Sequence, residues 1–149
     1  MDDFNRAWGL LLEAANAGYR GLLVVGAEKL DNTIRLNGDV VLRNYDTPCL
    51  LYSNKVMELY KEMSSKDGAI AFHPLGHLLG AELFIQNVHL EKESDLEQII
   101  RIKGSAGARH ITALYASRFL RYAICLGQSG VVIPFINGRI VESLVYPKN

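Results

Sequence analysis

Apolar residues recur along the chain with two different periods, which predict helices and strands in turn. The continuous apolar run GLLVVGA, residues 21–27, is bounded by glycine and predicts a short strand buried on both faces. A turn is expected at LNGD, residues 36–39. Ahead of the strand, helical spacing predicts an amphipathic helix that ends near Gly18, with its apolar stripe formed by Phe4, Ala7, Trp8, Leu11, Leu12 and Ala15.

Three further segments carry helical signals. YSNKVMELYKEM places Val56, Tyr60 and Met63 on one helical face, with Ser53 as the expected N-cap. SDLEQIIRIKG contains a capping-box pattern, a serine followed three residues later by a glutamate, and ends at a glycine. ARHITALYASRFL, which begins at Ala108, predicts the last helix.

The remaining apolar segments predict strands joined by tight turns. DGAIAF and LLGAELFI flank HPLGH, a hairpin signal with Pro74 and Gly76 in the turn. YAICLG and GVVIPFINGRIVE predict two or three closing strands, with a tight turn at Asn137 and Gly138. Helices that alternate with strands and hairpins indicate one α/β (α+β) domain over residues 1–149, a mixed, largely antiparallel sheet surrounded by about four or five helices.

Charge and hydropathy restrict the partners and the location. The 16 basic and 16 acidic residues balance, and no long block of like charge offers a surface to a nucleic-acid polymer or an anionic membrane. No apolar run approaches the roughly 18 residues of a membrane span, and the first residues, MDDFNRAWG, are acidic. We therefore expect a cytoplasmic protein without a membrane partner.

The thiols and imidazoles do not form a recognisable metal motif. Cys49 and Cys125 lie in apolar stretches without CxxC spacing, which favours buried hydrophobic roles over a disulfide, a zinc site or a thiol nucleophile. His73, His77 and His89 lack zinc-ligand spacing and are expected in loops or at the surface.

The stretch KGSAGARHITALYAS, residues 103–117, carries the clearest chemical signal. The first N–H groups of a helix have no intrahelical partner, so a helix that starts near Ala108 favours an anion there. Arg109 and Thr112 stand three residues apart on one face and offer a guanidinium and a hydroxyl to the same phosphate. The alternative is structural: Gly104 and Gly107 end one helix and start another, Arg109 is solvated at the surface, and His110 packs in the core.

The order of three motifs strengthens the functional interpretation. DGAIAF, GARHITA and GQSGVVIPFINGRIVE follow one another at intervals that fit one domain. This pattern resembles the diadenylate cyclase family, which includes the N-terminal domain of DisA-type proteins, where an Asp-Gly-Ala motif precedes a Gly-Thr-Arg-His motif at a helix start and a serine-rich turn. The resemblance extends from about Gly21 to Val141.

The resemblance implies roles for individual residues. Asp67 would help to hold a divalent metal ion, Mg²⁺ or Mn²⁺, and activate a ribose 3′-hydroxyl, while Arg109 and His110 would complete the catalytic set. The implied nucleotide-binding residues, some of which hold the triphosphate and some of which leave room for the nucleotide, are Gly68, Ala69, Gly107, Ala108, Arg109, Thr112, Gln128 and Ser129.

The implied activity is that of a metal-dependent nucleotidyltransferase. It would join two ATP molecules into cyclic di-AMP, a second messenger, and release two pyrophosphates, in a homo-oligomer whose active sites meet face to face.

The chain departs from the family pattern at three places. Ala108 stands where many members have threonine, Ile111 where arginine or lysine is common, and the turn LGQSG, residues 126–130, where many have a more acidic run. Two alternatives therefore stay open: a nucleotide-binding sensor or regulatory domain of the same fold with weakened catalysis, and a small interaction domain with coincidental motif matches.

Overall fold

The computed structural model describes residues 3–27, 34–36, 49–85, Val88, Leu90, 93–103, 107–127 and 130–147. These residues contain seven strands and four α-helices. The helices are α1 (Asp3–Asn16), α2 (Val56–Met63), α3 (Glu93–Lys103) and α4 (Ala108–Ala116). The strands are β1 (Gly21–Val25), β2 (Ile34–Leu36), β3 (Ala69–Phe72), β4 (Leu78–Ile85), β5 (Tyr122–Leu126), β6 (Val132–Ile136) and β7 (Arg139–Ile140). A 3₁₀ turn follows at Glu142–Leu144.

The strands form one sheet in the order β2-β4-β3-β1-β5-β6-β7. β1 pairs in parallel with β3 and antiparallel with β5, and the other neighbouring strands are antiparallel. The predicted mixed, largely antiparallel sheet is thus confirmed. β2 has no counterpart among the predicted strands, and the expected turn at LNGD falls, after Leu36, outside the described residues.

Helices cover both faces of the sheet, so the fold has three layers. Side chains alternate along a strand, and Leu23 and Val25 of β1 pack with α1 and α2, whereas Leu22 and Val24 pack with α3 and α4. Every residue of β1 is buried, as its apolar run predicts. None of the helices in the described residues is both long and apolar enough to cross a membrane.

Two of the predicted helix starts are wrong in detail. α2 begins at Val56 after Lys55, without a side-chain cap, and the Ser53 hydroxyl instead accepts a hydrogen bond from the Lys55 N–H at 3.4 Å. α3 already begins at Glu93, so Ser94 is a helical residue and not the N-cap of the expected capping box. Local sequence patterns set helix ends only to within a residue or two, because tertiary packing decides the rest.

The end of α4 is fastened to the closing hairpin. The tight turn between β6 and β7 is confirmed, since Asn137 and Gly138 both have positive φ, 53° and 74°. The Ser117 hydroxyl, which is fully buried, donates to the Leu114 carbonyl at 2.8 Å and accepts the Gly138 N–H at 2.9 Å. The hairpin therefore sits against the carboxyl end of α4.

The two cysteines are buried and unbridged, as the sequence predicts. Cys49 belongs to the core beneath α1 and α2, and Cys125 belongs to the core beneath α3 and α4. Because the sheet separates these two cores, the thiols lie on opposite sides of it. Burial raises the pKa of the Cys49 thiol, which disfavours the reactive thiolate.

Candidate functional site

One cavity of about 330 Å³ opens at the sheet end where β1 and β3 begin and β4 ends. It lies on the face of the sheet that α4 covers. Its walls bring together two distant segments of the chain, residues 67–69 and the first turns of α4, with Asp67, Gly68, Ala69, Ala108, Arg109, Thr112, Leu22, Leu83, Phe84 and Ile85 as lining residues. Six of the residues that the resemblance assigns to the nucleotide site therefore share one cavity.

Asp67 lines the cavity because the backbone adopts an unusual conformation directly before β3. Gly68, the next residue, has φ +103°, a conformation that residues with a side chain rarely adopt. Ala69 then begins β3 and is buried between its sheet neighbours. The carboxylate of Asp67 is left exposed at the cavity rim, at the start of a buried strand.

The strand opposite Gly68 is irregular. Its pairing with β3 contains register shifts, and Glu82 there has φ 54° although it is not glycine. The Glu82 carboxylate accepts a hydrogen bond from the Lys66 ammonium group at 3.1 Å. This hydrogen bond is the main reason that the pKa of Lys66 is raised. Lys66 is thereby engaged with Glu82 and, at 3.6 Å, with Glu62. Within the described residues Asp67 belongs to no ion pair.

The amino end of α4 forms the opposite wall. Its N-cap is Gly107 in an extended conformation, and among the described residues no side-chain hydrogen bond caps the helix. The first bonds inside the helix run from the N–H groups of His110 and Ile111 to the Gly107 carbonyl, which leaves the N–H groups of Ala108 and Arg109 without an intrahelical acceptor. Arg109 is half-buried and belongs to no ion pair in the described part of the chain. The wall thus presents a guanidinium beside the positive end of a helix dipole.

Two contacts hold this helix start. The Cys125 thiol of β5 donates to the Arg109 carbonyl at 3.4 Å and so ties the first turn to the sheet. The Thr112 hydroxyl donates to the Ala108 carbonyl at 2.9 Å, one turn earlier. Thr112 lines the cavity as predicted, but its hydroxyl has to rotate away from the helix before it donates to a ligand.

Of the other predicted site residues that the structure describes, His110 and Gly107 do not line the cavity. His110 is 5% exposed and packs into the protein interior, because it lies one residue away from Arg109 and turns about 100° around the helix. Gly107 stands next to it as the N-cap. Gln128 and Ser129 lie outside the described residues. The strand before them ends opposite Gly21, at the same end of the sheet as the cavity.

Sequence reasoning missed the apolar wall of the cavity. Leu22, Leu83 and Ile85 form it with Phe84, whose side chain is 44% exposed. The segment LLGAELFI was identified only as a strand, and its period gives no sign that the end of that strand faces a ligand site. A charged wall opposite an apolar, partly aromatic wall suits a ligand with a planar base at one end and an anionic group at the other.

The donor set is too small for a metal site built from protein alone. Within the described residues no group of three or more histidine, cysteine, aspartate or glutamate side chains could hold a metal ion. Asp67 is the carboxylate that lines the cavity. Mg²⁺ commonly binds one or two carboxylates together with substrate phosphates, so the cavity fits an ion that the nucleotide and Asp67 hold jointly.

The solved structures that are similar to this fold include the following two. The chain matches a hypothetical membrane spanning protein from Bacillus cereus with a TM-score of 0.60 and 14% identity, over 94% of this chain and 62% of that one. It matches a double mutant of DacA from Staphylococcus aureus with a TM-score of 0.55 and 17% identity, over 93% of this chain and 83% of that one. The chain thus spans less than two thirds of the Bacillus cereus protein.

Comparisons at the level of sequence add nothing to these two. No protein-family model matches the chain, and no curated protein is similar to it. At such low identity, these two structures show a shared fold and nothing more.

Proposed function

We propose that the protein is a diadenylate cyclase, which condenses two ATP molecules into cyclic di-AMP and releases two pyrophosphates. One observation carries the proposal: residues 67–69 and the start of α4, about forty positions apart in the sequence, line one cavity with an apolar wall opposite. These are the two motifs on which the resemblance to the family rests. The fold shared with DacA, a diadenylate cyclase, supports the same function.

The charged wall would bind the triphosphate. Arg109 offers a planar guanidinium with several donors, and the uncapped first turn of α4 offers backbone N–H groups to the same oxygens. Arg109 forms no ion pair within the described residues, so binding of the triphosphate does not first break an internal ion pair. The apolar wall, with Phe84, would cover the base.

Asp67 would act at the reacting hydroxyl. In each half of the reaction the ribose 3′-oxygen of one ATP bonds to the α-phosphorus of the other, and the bond from that phosphorus to pyrophosphate breaks. The Asp67 carboxylate would orient the 3′-hydroxyl and accept its proton as the new bond to phosphorus forms. A divalent ion shared by Asp67 and the phosphates, Mg²⁺ or Mn²⁺, would supply charge neutralisation for the transferred group.

The size of the cavity favours a reaction between two chains. About 330 Å³ lies at the low end of the range for small-molecule sites, so one chain covers one nucleotide incompletely. A ring made from two identical halves needs each nucleotide to present its 3′-hydroxyl to the other. We therefore propose a homo-oligomer in which two cavities face each other across a two-fold axis, acting in the cytoplasm.

The second candidate is a nucleotide-binding sensor with little or no turnover. It is favoured by the sparse set of carboxylates, since Asp67 alone supplies one to the cavity within the described residues. It is also favoured by Ile111, which stands where the family commonly has a cation and is half-buried against the core. This candidate keeps ATP binding and omits the chemistry.

Incubation with ATP and Mn²⁺, followed by chromatography of the products, tests the proposal directly. A diadenylate cyclase produces cyclic di-AMP and pyrophosphate in a ratio of one to two. Binding of ATP by calorimetry without any cyclic product would support the sensor. Absence of both binding and product would exclude a nucleotide site in this cavity.

A further inference from the structure

A second cleft, larger than the candidate nucleotide cavity, lies away from it. It has a volume of about 530 Å³ and contains none of the predicted site residues. Arg118, which follows α4, lines it together with the first turns of α3 and the turn between β6 and β7. Because that turn lies at the end of the sheet where β5 begins, the cleft and the 330 Å³ cavity are at opposite ends of α4.

The cleft is lined by charges of both signs. Arg101, Arg118 and Arg139 face Asp95 and Glu142, so three guanidinium groups meet two carboxylates and leave one net positive charge. Such a concentration of arginine around a concave surface is suited to oxyanions, because each guanidinium donates several hydrogen bonds in one plane.

Two of the guanidinium groups are held by ion pairs. Arg118 is paired with Asp95, whose side chain is 9% exposed, and Arg101 is paired with Glu142 at 2.5 Å. Arg118 also lies across Gly138, where an added Cβ would come within 2.9 Å of its Nε. These contacts hold the side chains of this wall in place, so a ligand that binds there does not have to order them.

The third guanidinium has no such engagement. Arg139 is exposed and forms no ion pair with any described residue. Asn137 and Ser94 also line the cleft, and each carries a side chain that can donate a hydrogen bond. The floor between them is fixed, since the Gln98 amide donates to the Gly138 carbonyl at 3.2 Å and accepts the Ile140 N–H at 2.7 Å.

We propose that this cleft is a second anion-binding site, which takes a small molecule with a phosphoryl group. A phosphoryl dianion has enough oxygens to accept from Arg139, Asn137 and Ser94 together while both ion pairs remain in place. A single carboxylate has fewer acceptor positions for these donors. The site is independent of the proposed cyclase activity, because the two cavities share no lining residue.

Calorimetric titration with inorganic pyrophosphate tests the site in the Arg109→Gln protein, in which the nucleotide cavity has lost its guanidinium. We expect one pyrophosphate bound per chain. Adding Arg139→Gln should weaken this binding about tenfold or more, the effect of losing a charge-assisted hydrogen bond. Arg139→Lys should restore part of it. Arg6→Gln, at an exposed arginine of α1, is the matched control and should change nothing.

A second variant guards against an indirect effect of Arg139. Asn137→Asp is nearly isosteric and keeps a residue type that tolerates positive φ, yet it adds a negative charge to the cleft. It should weaken pyrophosphate binding while leaving the melting temperature close to that of the parent protein. Parallel titrations with inorganic phosphate and ATP show whether the bare anion or a nucleotide is the tighter ligand.

Three results would overturn the proposal. The first is no measurable binding of pyrophosphate, phosphate or ATP to the Arg109→Gln protein. The second is binding that Arg139→Gln leaves unchanged in a folded protein. The third is an equal loss in Arg6→Gln, which would indicate unspecific attraction to surface charge. Loss of cyclase activity without loss of this binding would concern the other cavity alone.

Discussion

Gly68 lies directly against the backbone of Glu82, and the two positions leave no room for a side chain between them. A Cβ on Gly68 would come within 2.7 Å of the Glu82 carbonyl carbon and 2.9 Å of its Cα. Both residues have positive φ, 103° and 54°. This contact brings the bulged end of β4 against the start of β3, and it sets where Asp67 stands at the cavity rim.

Gly68→Ala should therefore destabilise the protein and reduce any activity of the cavity. The added methyl group meets backbone atoms that cannot swing aside, in a conformation that alanine resists, so we expect a loss of more than about 1 kcal/mol in the free energy of unfolding. Gly9→Ala in α1 is the control, because nothing lies within 4 Å of its added Cβ. That change should stabilise by about 0.5–1 kcal/mol. Equal stability of Gly68→Ala and wild type in urea unfolding would contradict this account.

Asp67→Asn should abolish the production of cyclic di-AMP without unfolding the protein. The side chain is exposed and nearly isosteric with its replacement, so the fold is spared while the charge is lost. Asp3→Asn, at another exposed carboxylate, is the control and should retain full activity. Chromatography of the products measures both. Turnover by Asp67→Asn at the wild-type rate would remove this carboxylate from the mechanism.

Arg109→Ala should weaken ATP binding by about 1.5–3 kcal/mol, the contribution of a charge-assisted hydrogen bond. The guanidinium lines the cavity and has no ion pair within the described residues, so the truncation removes a ligand contact without breaking an internal one. Arg6→Ala on the surface of α1 should leave the affinity unchanged. The measurement is calorimetric titration with ATP, and it serves the cyclase and the sensor equally. Unchanged affinity in a folded Arg109→Ala protein would exclude this phosphate site.

The face-to-face mechanism predicts how the rate depends on protein concentration. Where the chain is mainly monomeric, the initial rate at saturating ATP should rise as roughly the square of the concentration, because two chains must meet. The rate should become linear once association saturates. A rate that stays linear where sedimentation shows only monomer would mean that one chain completes the reaction.

Mixing wild type with Asp67→Asn provides the control for shared sites. If each ring closes across two chains, an excess of the variant should draw wild-type chains into mixed pairs and lower the rate per wild-type chain. Activity that depends on wild-type concentration alone would contradict sharing.

Tyr60→Phe should stabilise the protein, because the Tyr60 hydroxyl is buried without a hydrogen-bond partner among the described residues. An unsatisfied buried polar group costs about 1–3 kcal/mol, so the free energy of unfolding should rise by about 1 kcal/mol near neutral pH. Tyr19→Phe, at a half-buried tyrosine, should change it little. Denaturant unfolding of the three proteins measures the differences, and a destabilised Tyr60→Phe would indicate a partner for the hydroxyl.

The same variant should change the response to alkali. Burial raises the pKa of Tyr60 well above its ordinary value of 10.0, so the unfolded chain loses this proton first as the pH rises. The pH-dependent contribution of Tyr60 to the free energy of unfolding is therefore fully present below pH 10.0. It declines above that pH by about 1.4 kcal/mol per pH unit. Tyr60→Phe should remove this decline. A smaller one should remain from Tyr122, whose pKa burial also raises.

Much of the fold follows from local pattern. The apolar run at β1 could be identified as a doubly buried strand because a sheet with helices on both faces leaves no polar position in its central strand. The turn at Asn137 and Gly138 was evident because few residues adopt two successive positive φ angles. By contrast, β2 is only three residues long, and its pattern is too short to be recognised in the sequence. It is defined by its pairing with β4.

The candidate site divides in the same way. Arg109 and Thr112 were recognised from their spacing at a helix start, which is a local property of α4. Nothing in the sequence indicates that Leu83 and Ile85 share a cavity with them, because that relationship depends on how β4 bulges and on where α4 crosses the sheet. His110 was assigned to the site from its place in the motif, yet the rotation of the helix turns it towards the core.

Residue type and short-range periodicity are local properties, so the sequence alone predicts which residues have the chemistry for an anion site and where most helices and strands lie. That Asp67 and Arg109 share a cavity follows from the tertiary structure, which joins them through the packing of β3 and α4 on one sheet. It also decided that Arg118 pairs with Asp95 and leaves Arg139 open in a second cleft. Such relationships are set by long-range burial and steric fit, which no local pattern encodes.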